Sequence, residues 1–256
     1  MSENPFSVKK KIAIITGAAG GIGKATAKIL AKNGAIVYLT DINTNDIKIA
    51  EKEIIEDCGE HVNTAKIDVT DYNTVKNLIE NIVSDHKRVD ILVNSAGILR
   101  RNSMLESITD KEWDLVMSVN VKGIFNCIKA VLPEMKKQKY GKILNLSSTA
   151  GRSTSELGGA HYTASKAAVL GLTRHTAREA APYNINVNAI CPSLIDTPMV
   201  RGTTSPEELD RFIKKIPMGR IGTPVEVANL ILFLVSDASS FVNGATIDLT
   251  GASLLI

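Results

Sequence analysis

Residues 11–41 constrain the fold more than any other part of the chain. Residues 11–16, Lys-Ile-Ala-Ile-Ile-Thr, read as a strand buried on both faces. They run into Gly17-Ala-Ala-Gly20-Gly21-Ile22-Gly23 and then a helix over residues 24–33, with Gly34 as its stop. A second apolar strand, residues 35–40, ends in Asp41. Strand, glycine turn, helix, strand and acidic residue follow in the order of a dinucleotide-binding βαβ unit. Glycines let the backbone approach a pyrophosphate, and a helix N-terminus offers free N–H groups to it. Asp41 falls 18 residues after Gly23, close to the spacing of a ribose-binding carboxylate. The glycine spacing is Gly17-x-x-x-Gly21-x-Gly23, preceded by Thr16, rather than the commoner G-x-G-x-x-G. The alternative is a strand-to-helix turn that holds no ligand.

The alternation continues to the end of the chain. A polar amphipathic helix covers about residues 43–57, and a strand over residues 61–67 leads into Asp68-Val69. Asp71 can cap a helix that runs to about His86. Residues 90–94 form a strand ending in Asn94, followed by Ser95-Ala96-Gly97, small residues that suit close ligand approach at a strand C-terminus. Thr109-x-x-Glu112 is a capping-box signature. The helix after it spaces Trp113, Val116, Met117, Asn120, Ile124, Cys127 and Val131 by threes and fours. Asn120 therefore shares the apolar face, where an amide must hold backbone groups or water. A purely structural contact and a functional one both fit. Further strands are expected at residues 142–146, 185–191 and 246–249, with helices to about Ala181 and from Thr223 to Val235. Residues 193–216 form a polar insertion with a short helix capped by Ser205, Pro206 and Glu208, read as a substrate lid or a surface connection.

No linker divides the chain. The whole of residues 1–256 reads as one α/β domain, doubly wound and of Rossmann type. It predicts a parallel sheet of about seven strands in order 3-2-1-4-5-6-7. The crevice should lie between the first and fourth strands. Composition is globular, 44% hydrophobic against 22% charged, and the net charge is only +3. The densest basic run, Lys136, Lys137, Lys139 and Lys142, closes a helix, where cations suit the dipole. A nucleic-acid surface is not expected. No eighteen-residue apolar run and no N-terminal apolar core appear, so no membrane association or signal peptide is expected. Cys58, Cys127 and Cys191 are far apart and lack metal spacing, so we expect reduced thiols, a cytoplasmic location and no metal.

Chemistry concentrates between Asn145 and Gly171. Tyr162 and Lys166 stand four apart in an alanine-rich segment, so they project from one helix face. A neighbouring cation favours phenolate, which suits a tyrosine to proton transfer. Ser148 follows the strand at residues 142–146, where a hydroxyl can hold a carbonyl oxygen. The alternative is an ordinary surface pair.

Together these residues resemble the short-chain dehydrogenase/reductase family in its classical form, over nearly the whole chain from about Lys10. The motifs are Thr16-Gly17-x-x-x-Gly21-x-Gly23, Asp68-Val69, Asn94-Ser-Ala96-Gly97, Asn120-Val121, Ser148, and Tyr162-x-x-x-Lys166. The resemblance implies a nicotinamide-dependent interconversion of a secondary alcohol and a ketone. It implies a catalytic tetrad of Asn120, Ser148, Tyr162 and Lys166. Tyr162 would be the general acid/base and Ser148 would orient the substrate oxygen. Lys166 would bind the nicotinamide ribose and lower the Tyr162 pKa, and Asn120 would hold a water. The family pattern Ser-x-x-Gly, framed by Gly151, selects Ser148 over Ser147. Cofactor contacts implied are Gly17, Gly21, Ile22, Gly23, Asp41, Asp68, Val69, Asn94, Ala96, Gly97, Tyr162, Lys166, Ile195 and Thr197. Three positions depart from the pattern: Ser95 for a common Asn, Ser193 for Gly, and Thr250-Gly251-Ala252 for Asp-Gly-Gly.

Asp41, with no cation in the turn, predicts NAD over NADP. Within the family, a 3-oxoacyl reductase and a sugar or polyol dehydrogenase compete, with hydroxysteroids as a further alternative. Lys139 matches a basic residue common in the carrier-protein enzymes, whereas Tyr183 stands where a second is usual. A non-catalytic dinucleotide sensor and a methyltransferase are the rival classes, and neither needs the Tyr/Lys pair. Small residues Ala160, Ala164, Ala167, Ala168 and Gly171 predict a close helix contact in a homo-oligomer, a tetramer by resemblance, or else packing within the subunit. Arg100 and Arg101 follow the Asn94–Gly97 loop, and either attract an anionic substrate or are simply exposed.

Overall fold

Strand β1 (Ile12–Thr16) is buried along its length, because both faces are covered. The computed structural model describes residues 4–101 and 104–256. Residues 1–3, the start of the N-terminal segment without an apolar core, lie outside the described residues. The chain proceeds through α1 (Gly21–Lys32), β2 (Ile36–Asp41), α2 (Thr44–Cys58), β3 (Asn63–Lys66), α3 (Tyr72–His86) and β4 (Ile91–Asn94). It continues through α4 (Asp110–Met117), α5 (Gly123–Gln138), β5 (Gly141–Leu146), α6 (Ala160–Ala180) and β6 (Ile185–Pro192). The last elements are α7 (Pro198–Thr203), α8 (Pro206–Lys215), α9 (Pro224–Val235) and β7 (Thr246–Leu249). The seven strands form one sheet in order β3-β2-β1-β4-β5-β6-β7, and every pairing is parallel, as expected.

Alternation along β1 divides the core. Ala13 and Ile15 face Leu30 of α1, Ile47 of α2 and Ile231 of α9. Ile12 and Ile14 face Ile79 of α3, Val131 of α5 and Val169 of α6. Register sets the functional edge. Thr16 pairs with Thr40 on one side and Asn94 on the other, and Asn94 pairs with Asn145. The C-terminal ends of four strands are thus level, and the loops after them open onto one crevice.

Four details depart from expectation. Helix α1 starts at Gly21, not near Lys24, so the glycine turn is only residues 17–20. The helix after Thr109 is broken by a π turn, Ser118–Lys122, centred on Asn120. The Thr109 hydroxyl accepts from the Glu112 N–H, but the Glu112 carboxylate is directed at His161 rather than back to the cap. Lys142 does not belong to an exposed basic cluster. It is buried in β5, where its Nζ donates to Asn186 Oδ1 at 2.8 Å. The helical run Asp110–Gln138 is long and apolar enough to cross a membrane by length and composition alone. Val116, Ile124, Cys127, Val131 and Met135 of this run are buried in the core, while Leu115 and Phe125 are exposed.

Candidate active site

The crevice holds a cavity of about 800 Å³ at the C-terminal edge of the sheet. Its nucleotide end is built by the glycine turn. Gly17 has φ +64°, and a Cβ there would lie 2.7 Å from the Ala96 backbone. Gly23 has no room for a side chain because a Cβ would stand 2.2 Å from the Gly17 carbonyl oxygen. Thr16 ties the two loops together, its hydroxyl accepting from the Ser95 and Ala96 N–H groups at 3.1 Å each. Gly20 caps α1 without any side-chain bond, leaving the first-turn N–H groups directed at the cavity. Gly21, at φ +52°, faces the Thr197 side chain, 3.3 Å from the position of a Cβ.

Asp41 lines this end of the cavity. Its carboxylate accepts from Ala19 N–H at 3.3 Å and Asn43 N–H at 3.2 Å. Lys24, the basic residue nearest in sequence, pairs with Glu53 on α2 instead. Asp68 accepts from the Thr70 N–H and hydroxyl at 2.9 and 2.7 Å, which orients its main chain and Val69 along the wall. These features fit a dinucleotide: a close-approach turn, an uncapped helix N-terminus and a carboxylate at the end of β2.

At the other end, Tyr162 and Lys166 project from α6 as their spacing requires. The Lys166 ammonium lies 5.7 Å from the centre of the Tyr162 ring and donates to Leu146 O at 2.9 Å. Ser148 follows β5, accepts from Ala150 N–H at 3.1 Å and lies beside the Tyr162 phenol, where its hydroxyl favours the phenolate. Ser147 turns the other way and donates to Lys166 O at 2.8 Å. Ser148 is thus the hydroxyl beside the phenol, and Ser147 anchors the helix.

Electrostatics here differ from the simple expectation. Burial pushes the Tyr162 phenol up, and the Ser148 hydrogen bond only partly opposes this. Burial also brings the Lys166 ammonium down to about 8. A charge held away from water is costly, and both groups feel that cost before they feel each other.

Asn120, Asn94 and Gly23 do not line the cavity; they lie directly behind it. Asn120 Oδ1 accepts from Ile98 N–H at 2.8 Å, and its Nδ2 donates to Ile98 O and Ser165 Oγ at 3.0 Å each. Its amide therefore braces the loop after β4 against α6. Asn94 donates to Asn145 Oδ1 at 2.8 Å and ties β4 to β5. Gly17, Gly21, Ile22, Asp41, Asp68, Val69, Ala96, Gly97, Ser148, Tyr162, Lys166, Ile195 and Thr197 all line the cavity.

Leu157, Met199, Phe212, Ile216 and Leu254 line the outer wall, from four separate segments. Met199, Phe212 and Ile216 fall within the insertion read as a lid, residues 193–216, whereas nothing in the sequence marks Leu157 and Leu254. Arg101 does not face the cavity. It forks onto Glu208 of α8, with Nη2 to Oε1 at 2.6 Å, and also donates to the Thr203 carbonyl. That contact holds Glu208 down at about 2. Across the mouth, Lys215 pairs with Glu156 at 2.6 Å. Arg100 is exposed and contributes its carbonyl to Gly159 N–H.

Residues 17–251 match a family model described as enoyl-(acyl carrier protein) reductase. The 3-oxoacyl-[acyl-carrier-protein] reductase FabG of Thermotoga maritima is 42% identical over 246 residues, covering 96% of this chain and 98% of that one. Among solved structures, levodione reductase superposes with a TM-score of 0.92 at 32% identity, over 95% of this chain and 97% of that one. A 3-oxoacyl-[acyl-carrier protein] reductase from Brucella melitensis, solved with bound NAD, gives 0.86 at 37% identity, over 96% and 92%.

Proposed function

The chain belongs to the classical short-chain dehydrogenase/reductase family of oxidoreductases acting on CH–OH donors, and from that premise we propose that it uses NAD(H) to interconvert a ketone of apolar body and its secondary alcohol. The observation that carries the reading is the meeting of Ser148, Tyr162 and Lys166 at one end of a cavity whose other end is Asp41 and the glycine turn.

Bound in this cavity, the nicotinamide supplies or accepts the hydride. Tyr162 gives its phenolic proton to the ketone oxygen in reduction and takes it back in oxidation. Ser148 holds that oxygen beside the phenol. Lys166, placed by its bond to Leu146 O, would hold a ribose hydroxyl of the cofactor. With a cofactor and substrate seated, the ammonium stabilises the developing phenolate. Asn120 holds the floor through Ile98 and Ser165. Residues 193–216, as α7 and α8, act as the lid.

Asp41 supports NAD(H). Its carboxylate would repel a ribose phosphate by about 1–4 kcal/mol per pair of unit charges at about 4 Å. The apolar outer wall favours a hydrocarbon body over a sugar. The charged groups at its rim are paired with each other, Glu156 with Lys215 and Arg101 with Glu208, so neither pair offers a free charge to a sugar. Lys139 stands before β5, at the end of the sheet opposite the cavity, so it does not argue for a carrier protein at this mouth.

The deciding experiment measures kcat/KM for cyclic ketones, 3-oxoacyl thioesters and keto-sugars with NADH and NADPH, in the unmodified protein and in Tyr162→Phe. Apolar ketones should lead, NADH should be preferred by about tenfold or more, and Tyr162→Phe should bind NADH normally yet lose most turnover. A keto-sugar in first place, NADPH parity, or an active Tyr162→Phe would each refute the part it addresses.

A further inference from the structure

His161 is fully buried at the second position of α6, directly before Tyr162. The N-cap of this helix is Gly159, which has no side chain to accept a first-turn N–H. The imidazole takes that role: Tyr162 N–H donates to His161 Nδ1 at 2.8 Å and to Gly159 O at 3.0 Å. An accepting Nδ1 puts the imidazole proton on Nε2. Nε2 is buried without a hydrogen-bond partner among the described residues, 3.6 Å from Glu112 Oε1 on α4. That carboxylate favours the N–H facing it and so favours the same tautomer.

The sequence makes room for this arrangement with two glycines. A Cβ on Gly159 would lie 2.8 Å from His161 Cε1, and one on Gly158 would lie 2.8 Å from the Tyr162 ring. Two consecutive glycines thus seat two consecutive rings. An unpaired buried ring nitrogen is a cost that packing alone does not require.

We propose that His161 is a positioning residue, whose Nδ1 fixes the Tyr162 backbone and with it the direction of the phenol. The proposal rests on the reading of Tyr162 as the acid/base. Asn, Gln and Phe at position 161 separate the roles. Asn carries an amide oxygen one bond from Cγ, as Nδ1 is. Gln places its oxygen one bond farther, and Phe keeps volume with no acceptor.

His161→Asn should retain kcat to within about threefold, while His161→Gln and His161→Phe lose about tenfold or more, because a small misplacement of the acid is costly. KM for NADH, and NADH binding by fluorescence titration, should not change in any of them. Equal kcat in the Asn and Phe variants, whether both high or both low, would overturn the proposal, as would a Gln variant matching Asn. Tyr162→Phe is measured alongside. If that variant is active, the acid/base reading fails; if it is inactive while Asn and Phe match, only the role of His161 fails.

Discussion

Lys166 shows how one side chain holds opposing demands. Its ammonium is buried against the Tyr162 ring and bonded to Leu146 O, and its pKa falls to about 8 from an ordinary 10.5. Between those values the unfolded chain binds a proton that the folded chain does not, so stability rises with pH through that window. Below about pH 8 the full cost of burying the charge is present, roughly 3 kcal/mol from a shift of this size. Lys166→Met should therefore raise the melting temperature at pH 7 by a few degrees and flatten the rise between pH 8 and 10.5, while turnover collapses. Calorimetry across that range, beside steady-state rates, checks both. A variant less stable at pH 7 would show that the lysine's contacts outweigh its desolvation.

At the scale of elements, α8 is fastened rather than free. Its capping box is complete, with Ser205 and Glu208 bonded reciprocally. The same Glu208 receives Arg101 from the loop after β4, and Lys215 at the far end of the helix meets Glu156. Both pairs are exposed to solvent, where each contributes little and weakens with salt. Arg101→Ala should raise KM for the ketone about two- to fivefold, with kcat nearly unchanged. Added salt should raise KM in the unmodified protein and have less effect in the variant. A KM indifferent to both changes would mean that the pair does not hold the lid closed.

Assembly is decided by surfaces that the single chain leaves open. On α6, Ala167 is exposed, and a Cβ on Gly171 would meet nothing within 4 Å. Packing within the subunit therefore does not explain why Gly171 is small. Trp113 and Phe125 are also exposed, on α4 and α5. A small-residue face on α6, with exposed aromatics on the neighbouring α4 and α5, suits a close contact between copies of the chain. Light scattering at micromolar concentration should give a tetramer. Gly171→Arg should lower the mass without lowering the stability of the subunit, since no neighbour obstructs the new side chain. A monomeric unmodified protein would leave this face without a role.

The sequence alone determined what depends on neighbours along the chain. Strand order followed from alternating buried strands and amphipathic helices, because parallel strands joined by helices have few ways to pack. The Tyr162–Lys166 face followed from the helical period, and the glycine turn from its place between β1 and α1. What the tertiary structure decided involves groups far apart in sequence. Asn120 looked like a member of a regular helical face, and a π turn redirected it onto Ile98 and Ser165. Lys142 looked like the end of a basic cluster, and the sheet buried it beside Asn186. Arg101 looked like a charge near a mouth, and α8 brought Glu208 to meet it. The outer wall of the cavity joins Leu157, Met199, Phe212 and Leu254, which no periodicity connects. Periodicity reports which face of an element is buried; it carries no information about which distant side chain arrives to share that space.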